Sequence, residues 1–363
     1  MNGAPERAGW TVGLMSGTSM DGIDAALLRS DGTHVIETGE SLSTPYTPDF
    51  RDRLRAVLGF DHRTSVVDAL EREVTLLHAD AVRRLIEKAG LRDDEVDLIG
   101  FHGQTIFHAP ERRFTWQLGD GPLLARECAI PVVYDFRSAD VAAGGEGAPL
   151  APVYHAALAA KLPRPLAVLN LGGVGNVTYI RRDEGLLAFD TGPGNALMDD
   201  LIRDRSGETM DRDGRLAAEG QVDEGVLARL MDTPYFTRKP PKSLDRDAFD
   251  PAPVRMLSLS DAVATLAAFT VRSVERALAH MPEAPLRWLV CGGGRHNPVL
   301  MAMLAERLGV PVDPVEDVGW DGDMLEAQAF AFLARRCQQS LPLTYPGTTN
   351  VPAPQTGGRI VMP

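Results

Sequence analysis

Cysteine is scarce. Cys128, Cys291 and Cys337 are the whole supply in 363 residues, odd in number and far apart. No CxxC pair exists, which argues against thiol-redox and zinc-ribbon motifs and suits a reducing compartment. Long apolar runs are missing too: none approaches the ~20 residues needed to cross a bilayer. The opening MNGAPERAGW holds no basic segment followed by an apolar one, so no secretion signal is expected. Positive charge is in deficit, with 37 Lys and Arg against 50 Asp and Glu, a net charge of −13. A surface of that sign repels nucleic acid and anionic lipid, so neither nucleic acid nor membrane is expected as a partner. A nucleotide is still admissible, because backbone N–H groups or a metal ion can hold its phosphates locally.

The familiar single-loop motifs are also absent. There is no GxxxxGK[ST], no GxGxxG opening a helix after a strand, and GLMSG is not GxSxG. Those absences exclude a P-loop, make a dinucleotide fold a poor fit and rule out a nucleophile-elbow hydrolase. His102 and His108 lack a Cys or His partner at metal-ligand spacing, so zinc is not expected.

What is present is patterned as an α/β protein. Strand-like runs cover 10–15, 23–29 and 33–38. A helix is predicted over 64–89 from Val67, Leu70, Val74, Leu77, Ala81 and Leu85, with Gly90 as its cap. VDLIGFHG reads as a buried strand ending in a polar loop, and GGEGAPLAP (144–152) as a hinge. LAVLNLGGVGNVTYI reads as two strands around a glycine turn, and LLAFDTGPGNALMDDLI as strand, loop and helix. Residues 232–258, rich in proline and charge, are predicted to be a long surface excursion. A helix follows Ser258, then LRWLVCGGGRHNPVL reads as strand, turn and helix. DMLEAQAFAFLARRC forms a last helix. Met198, Leu201 and the 300–304 stretch read as core.

Three glycine-rich stretches could cradle a phosphate: MSGTSMDG (15–22), NLGGVGN (170–176) and CGGGRHN (291–297). Each alone is as well explained as a plain turn. In this order they look like the phosphate-1, phosphate-2 and adenosine elements of the actin-like ATPases. The likeness goes further. GLMSGTSMDGIDAAL, FHGQTIFH, WQLGDG, YDFRSADVAAGGEGAPLAP, LNLGGVGNVT, FDTGPGNALMD, CGGGRHNPVL and GDMLEAQAFAFLA resemble the anhydro-N-acetylmuramic acid kinases. The resemblance runs from about residue 10 to residue 360. It implies a two-lobed actin-like (ribonuclease-H-like) α/β fold, with mixed sheets flanked by helices and ATP in the interlobe cleft. The lobes expected are 1–150, with 323–363 packing back, and 151–322. It further implies ATP and Mg²⁺, a homodimer in the cytoplasm, and coupled hydrolytic opening and phosphorylation of 1,6-anhydro-N-acetylmuramic acid in cell-wall recycling. The alternative is a related sugar or acetate kinase that cleaves no ring. A non-enzymatic sensor would need a partner domain, and no spare segment is long enough for one.

By the same resemblance Asp190 is the base for the attacking water, although an Asp before Gly-Pro-Gly also suits an Asx turn or a helix cap. The nucleotide contacts implied are Gly17, Thr18, Ser19, Met20, Asp21, Gly22, Ile23, Asp24, Gly172, Gly173, Gly292, Gly293, Gly294 and Asn297. Asp21 is the candidate magnesium ligand, Asp24 suits a turn-pinning role better, and Asn297 also suits a helix N-cap. The sugar contacts implied are His102, Gln104, Arg137, Asp140 and Glu326, with Arg137 matched to the sugar's carboxylate.

Overall fold

A computed structural model describes residues 9–17, 19–246 and 248–363. They divide into two units, Met1–Ala160 with Met324–Pro363, and Lys161–Asp323. The helix Pro152–Leu158 therefore belongs to the first unit, past the 144–152 segment where the sequence suggested a hinge. The reason is local: buried Tyr154 donates its hydroxyl proton to Gln328 at 2.8 Å.

The first unit is built on β1 (Trp10–Ser16), β2 (Gly22–Ser30), β3 (Val35–Pro45), β4 (Val96–Ala109), β5 (Phe114–Leu118) and β6 (Val132–Tyr134). The spatial order is β6-β4-β1-β2-β3, with β5 on the outer half of β4 and the C-terminal strand Arg359–Val361 beside β6. β1 to β3 are antiparallel, while β4 and β6 run parallel to β1. β1 is buried along nearly its whole length, as a central strand covered on both faces must be. The helix Ser65–Ala89 covers one face. Thr64 caps it by accepting from the Val67 N–H, and Gly90, at φ +66°, stops it in the left-handed conformation.

The helix Leu325–Gln338 covers the other face, and two glycines let it sit unusually close. Gly13 on β1 and Gly100 on β4 are register partners. A Cβ at Gly13 would lie 1.8 Å from the Ala327 carbonyl oxygen, and one at Gly100 2.2 Å from that of Phe330. The helix backbone thus rests directly on the sheet. Gly13→Ala is expected to cost about 3 kcal/mol through overpacking. Urea melting of the variant checks this, and an unchanged midpoint would show that the helix can move away.

The second unit repeats the plan with β7 (Leu166–Leu171), β8 (Val174–Ile180), β9 (Leu186–Pro193), β10 (Trp288–Cys291) and β11 (Val312–Pro314), ordered β11-β10-β7-β8-β9. Its first three strands are again antiparallel and the last two parallel to the first, the ribonuclease-H-like order. The helix Leu259–Ala277, capped by Ser258, buries Val263, Leu266, Val271 and Val274 in the core.

Much of the 232–258 stretch runs over the surface, as its composition predicts, with Met256 94% exposed, but it is anchored inward at four points. Tyr235, Phe236, Lys242 and Val254 are all buried. Its aromatic residues pay for the detour by packing on the helix, with Phe249 and Phe269 ring centres 5.2 Å apart.

Candidate active site

The loop from Gly17 to Asp21 joins β1 to β2. It is closed by the Met20 N–H donating to the Gly17 carbonyl at 3.1 Å. Met20 takes φ +53° and drives its side chain into the core, as Ile23 does one turn later. These two residues, expected at the nucleotide, can offer it only backbone. Thr18 lies outside the described residues. Ser19 and Asp21 are exposed, and the Ser19 hydroxyl donates to the Asp21 carboxylate at 2.9 Å. Asp24 accepts from the Ser43 hydroxyl opposite it on β3, a cross-strand bond that ties β2 to β3 and does not reach the turn.

Gln104 is fully buried beneath this loop. Its amide oxygen accepts from Ser16 at 2.6 Å and its nitrogen donates to the Gly17 carbonyl at 3.2 Å. The sugar contact expected of Gln104 is closed to a side chain so placed; it is a strut for the loop. The FHGQT stretch read as a loop is instead the middle of β4, turned at Gly103 by φ +74° so that the strand can continue along β5.

Arg137 has its guanidinium fixed from one side. Nε and Nη2 both donate to His102 Nε2 at 3.0 Å, and Nη1 donates to the Gly147 carbonyl at 2.7 Å. His102 Nδ1 donates to the Gly103 carbonyl at 2.7 Å, so Nε2 is the accepting nitrogen of a neutral ring. Burial, then the charge of Arg137, holds the imidazole well below its ordinary pKa. His102 is therefore neither acid nor base here. Two of the five guanidinium N–H groups remain, one on each terminal nitrogen, which is the fork a carboxylate accepts. Burial pushes Arg137 down to about 10, still charged at neutral pH.

Glu326 stands in the first turn of the last helix with an exposed edge. Desolvation by surrounding protein raises its carboxyl; Arg137 opposes that rise and Asp24 adds to it. Asp140 forms no ion pair with Arg137. Its carboxylate accepts from the Gly147 N–H at 2.7 Å and from the hydroxyls of Thr344 and Thr349. With 2% exposure it ties the C-terminal segment to the 144–147 loop and has no face for a sugar.

In the second unit the 170–176 and 291–297 turns meet the Gly194–Asn195 segment. The Asn195 N–H donates to the Gly172 carbonyl at 2.8 Å, and its side-chain nitrogen donates to Leu171 at 2.8 Å. Gly194 donates to Gly173 at 3.1 Å, so close that a Cβ there would lie 2.1 Å from the Gly172 oxygen. Gly292 is likewise packed against Asn170 and Leu171, and Gly294 against Leu171 and Asn195. Gly172, Gly173 and Gly293 are not: a Cβ on any of them would meet nothing nearer than 3.8 Å. Neither internal space nor a left-handed φ explains glycine at those three, whereas close approach of a ligand to bare backbone does. Arg295, which sequence reasoning passed over although it sits inside the glycine turn, clamps Gly292 and pairs with Glu316 and Asp323. Asn297 caps the helix Pro298–Leu308 with its side-chain oxygen, leaving only its nitrogen for a nucleotide.

Asp190 lies within β9, opposite Asn176, and not at a strand end, because the strand continues to Pro193 past a register shift. It caps no helix; the Asn195 position before Ala196–Ser206 carries no side-chain cap at all. One carboxylate oxygen accepts from the Leu244 N–H at 2.7 Å. Its carbonyl accepts from the Tyr235 hydroxyl at 2.6 Å, and its N–H donates to the Lys242 carbonyl at 3.0 Å. Sequence reasoning missed these partners, since all three come from the 232–258 stretch, whose composition marks it as surface.

The profile of the anhydro-N-acetylmuramic acid kinase family matches residues 9–363. The chain belongs to that family. A relative from Rhodospirillum rubrum with this name is 57% identical, over 96% of the chain and 93% of its own length. One from Paramagnetospirillum magneticum is 54% identical over 97% and 99%. The matched range contains the 17–24 loop, Arg137, the 170–176 and 291–297 turns, Asp190 and Glu326. No helix among the described residues is long and apolar enough to cross a membrane.

Among the described residues no group of three or more His, Cys, Asp or Glu could hold a metal ion. Magnesium in a phosphate-transfer site needs no such group, because one carboxylate, water and the substrate's own phosphates suffice. Asp21 is an exposed carboxylate of that kind, accepting from the Ser19 hydroxyl.

Proposed function

We propose that the chain opens 1,6-anhydro-N-acetylmuramic acid with water and transfers the γ-phosphoryl group of ATP to O6, giving N-acetylmuramic acid 6-phosphate and ADP. One observation carries this reading: the family match is unbroken from residue 9 to residue 363. The site geometry supports it. Asp190, with one oxygen held by Leu244, presents a carboxylate that can take a proton from water. The water oxygen bonds to C1, the C1–O6 bond breaks with its electrons passing to O6, and O6 attacks the γ-phosphorus as ADP leaves. Arg137 offers its free fork to the sugar's lactyl carboxylate, and Glu326 faces the same sugar. Ser19, Thr18 and loop backbone hold phosphate oxygens, as do the bare backbones of Gly172 and Gly173, while 292–294 receive adenosine. A magnesium ion on Asp21 would neutralise charge on the transferring phosphoryl group. Asp140, Gln104 and His102 act as supports in this scheme. The family resemblance adds a homodimer working in the cytoplasm.

Reaction in ¹⁸O-water tests the reading. Solvent oxygen is expected at C1 of the product, with one ADP per sugar. ADP release with free hexoses or acetate and none with the anhydro sugar would overturn it in favour of a kinase that cleaves no ring.

The glycine argument gives a separate expectation. Gly173→Ala should raise the KM for ATP about tenfold, a loss of ~1.4 kcal/mol, with no fall in melting temperature. A lower melting temperature at unchanged KM would mean that Gly173 serves folding alone.

A further inference from the structure

Lys242 is buried, with 4% of its surface exposed, yet it forms no ion pair among the described residues. Its ammonium donates to the Tyr235 carbonyl at 3.0 Å. It also lies over two aromatic faces, 4.4 Å from the Tyr235 ring centre and 5.7 Å from that of Phe189. Burying a lysine with one hydrogen bond and two π faces is costly, and a structural role alone would be served by methionine. Several of the groups around it lead to Asp190. Phe189 is its chain neighbour. The Tyr235 hydroxyl donates to the Asp190 carbonyl, and the Lys242 carbonyl accepts from the Asp190 N–H. The Leu244 N–H, two residues on, binds the carboxylate itself.

We propose that Lys242 is a positioning residue for Asp190: its ammonium locks Tyr235 and β9 in place and sets a positive charge beside the Asp190 carboxylate. This rests on Asp190 being the base. The charged and titratable groups facing Lys242 are Asp190, which favours its charged form, Arg238, which opposes it, and the Tyr235 phenol and His280. His280 Nε2 is 3.4 Å from the ammonium and donates to the Phe236 carbonyl at 3.0 Å. Burial, then Lys242's own charge, holds His280 below its ordinary pKa, so it stays neutral. Burial and Tyr235's proximity to Asp190 raise the phenol, so it stays protonated. Desolvation, with help from Arg238, pushes Lys242 down to about 8. The charge is thus present below pH 8 and lost above it.

The test is the pH profile of kcat/KM for the anhydro sugar, with ATP affinity as a control. Wild type should show a basic limb near pH 8. Lys242→Met should lose that limb and run about tenfold lower at neutral pH, the weight of one pKa unit of charge preference. Lys242→Arg, whose charge persists, should also lose the limb while keeping most of the plateau. A limb that stays near pH 8 in Lys242→Arg overturns the proposal, and so does a Lys242→Met profile identical to wild type. Should Lys242→Met not fold, Lys242→Arg decides alone. Asp190→Asn measured alongside separates the two readings: if it keeps turnover, the base assignment fails, whereas an inactive Asp190→Asn with an unmoved Lys242 profile refutes only the role of Lys242.

Discussion

Asp190→Asn is expected to lower kcat by about 10³-fold, within the range that removal of a general base costs, while ATP affinity stays within about threefold. The amide is isosteric with the carboxylate and its oxygen can still accept from Leu244. The backbone bonds to Tyr235 and Lys242 do not involve the side chain. The fold of β9 and the neighbouring 170–176 turn should therefore survive, and melting temperature reports whether they do. What is lost is the ability to take a proton from water. Because O6 becomes a nucleophile only when the C1–O6 bond opens, phosphoryl transfer should fall in step with ring opening, and no unphosphorylated sugar should accumulate. ADP release and product mass spectra read both. Wild-type kcat in this variant would make Asp190 a structural residue.

Arg137→Met is expected to reduce kcat/KM for the anhydro sugar by about 10²-fold, the cost of one lost charge-assisted, bidentate contact, without changing the KM for ATP. Methionine keeps much of the apolar stem and removes the fork. His102 makes the wild-type geometry specific: by accepting from Nε and Nη2 it turns the two remaining N–H groups outward. A sugar analogue without the lactyl carboxylate should bind wild type and variant equally well. If the variant discriminates between the two sugars as strongly as wild type, Arg137 does not read the carboxylate. The sign of the pH dependence follows from the lowered pKa. The charge is complete at neutral pH and is lost as pH rises through about 10, so affinity for the anionic sugar should weaken there.

Much of this was legible in the chain. The helix Ser65–Ala89 and its Gly90 cap, the two glycine hairpins and the strand–turn–helix at 288–308 follow from periodicity and local capping, which act over a few residues. The roles of polar residues were not legible in the same way. Gln104 and Arg137 both look like sugar ligands in a sequence, yet one is fully buried under a loop and the other presents a fork. The difference is set by residues far along the chain, Gly17 for the one and His102 for the other.

The sequence by itself determined the class of fold, the glycine-lined loops and the family, because each rests on short-range pattern or on residue identity. Only the tertiary structure decided which glycines are bare for a ligand and which are merely crowded. It alone showed that the proline-rich 232–258 stretch, exposed over much of its length, turns buried anchors inward and holds Asp190 through Tyr235, Lys242 and Leu244. Burial and hydrogen-bond partnership depend on contacts between segments tens of residues apart, and no local pattern in the chain encodes them.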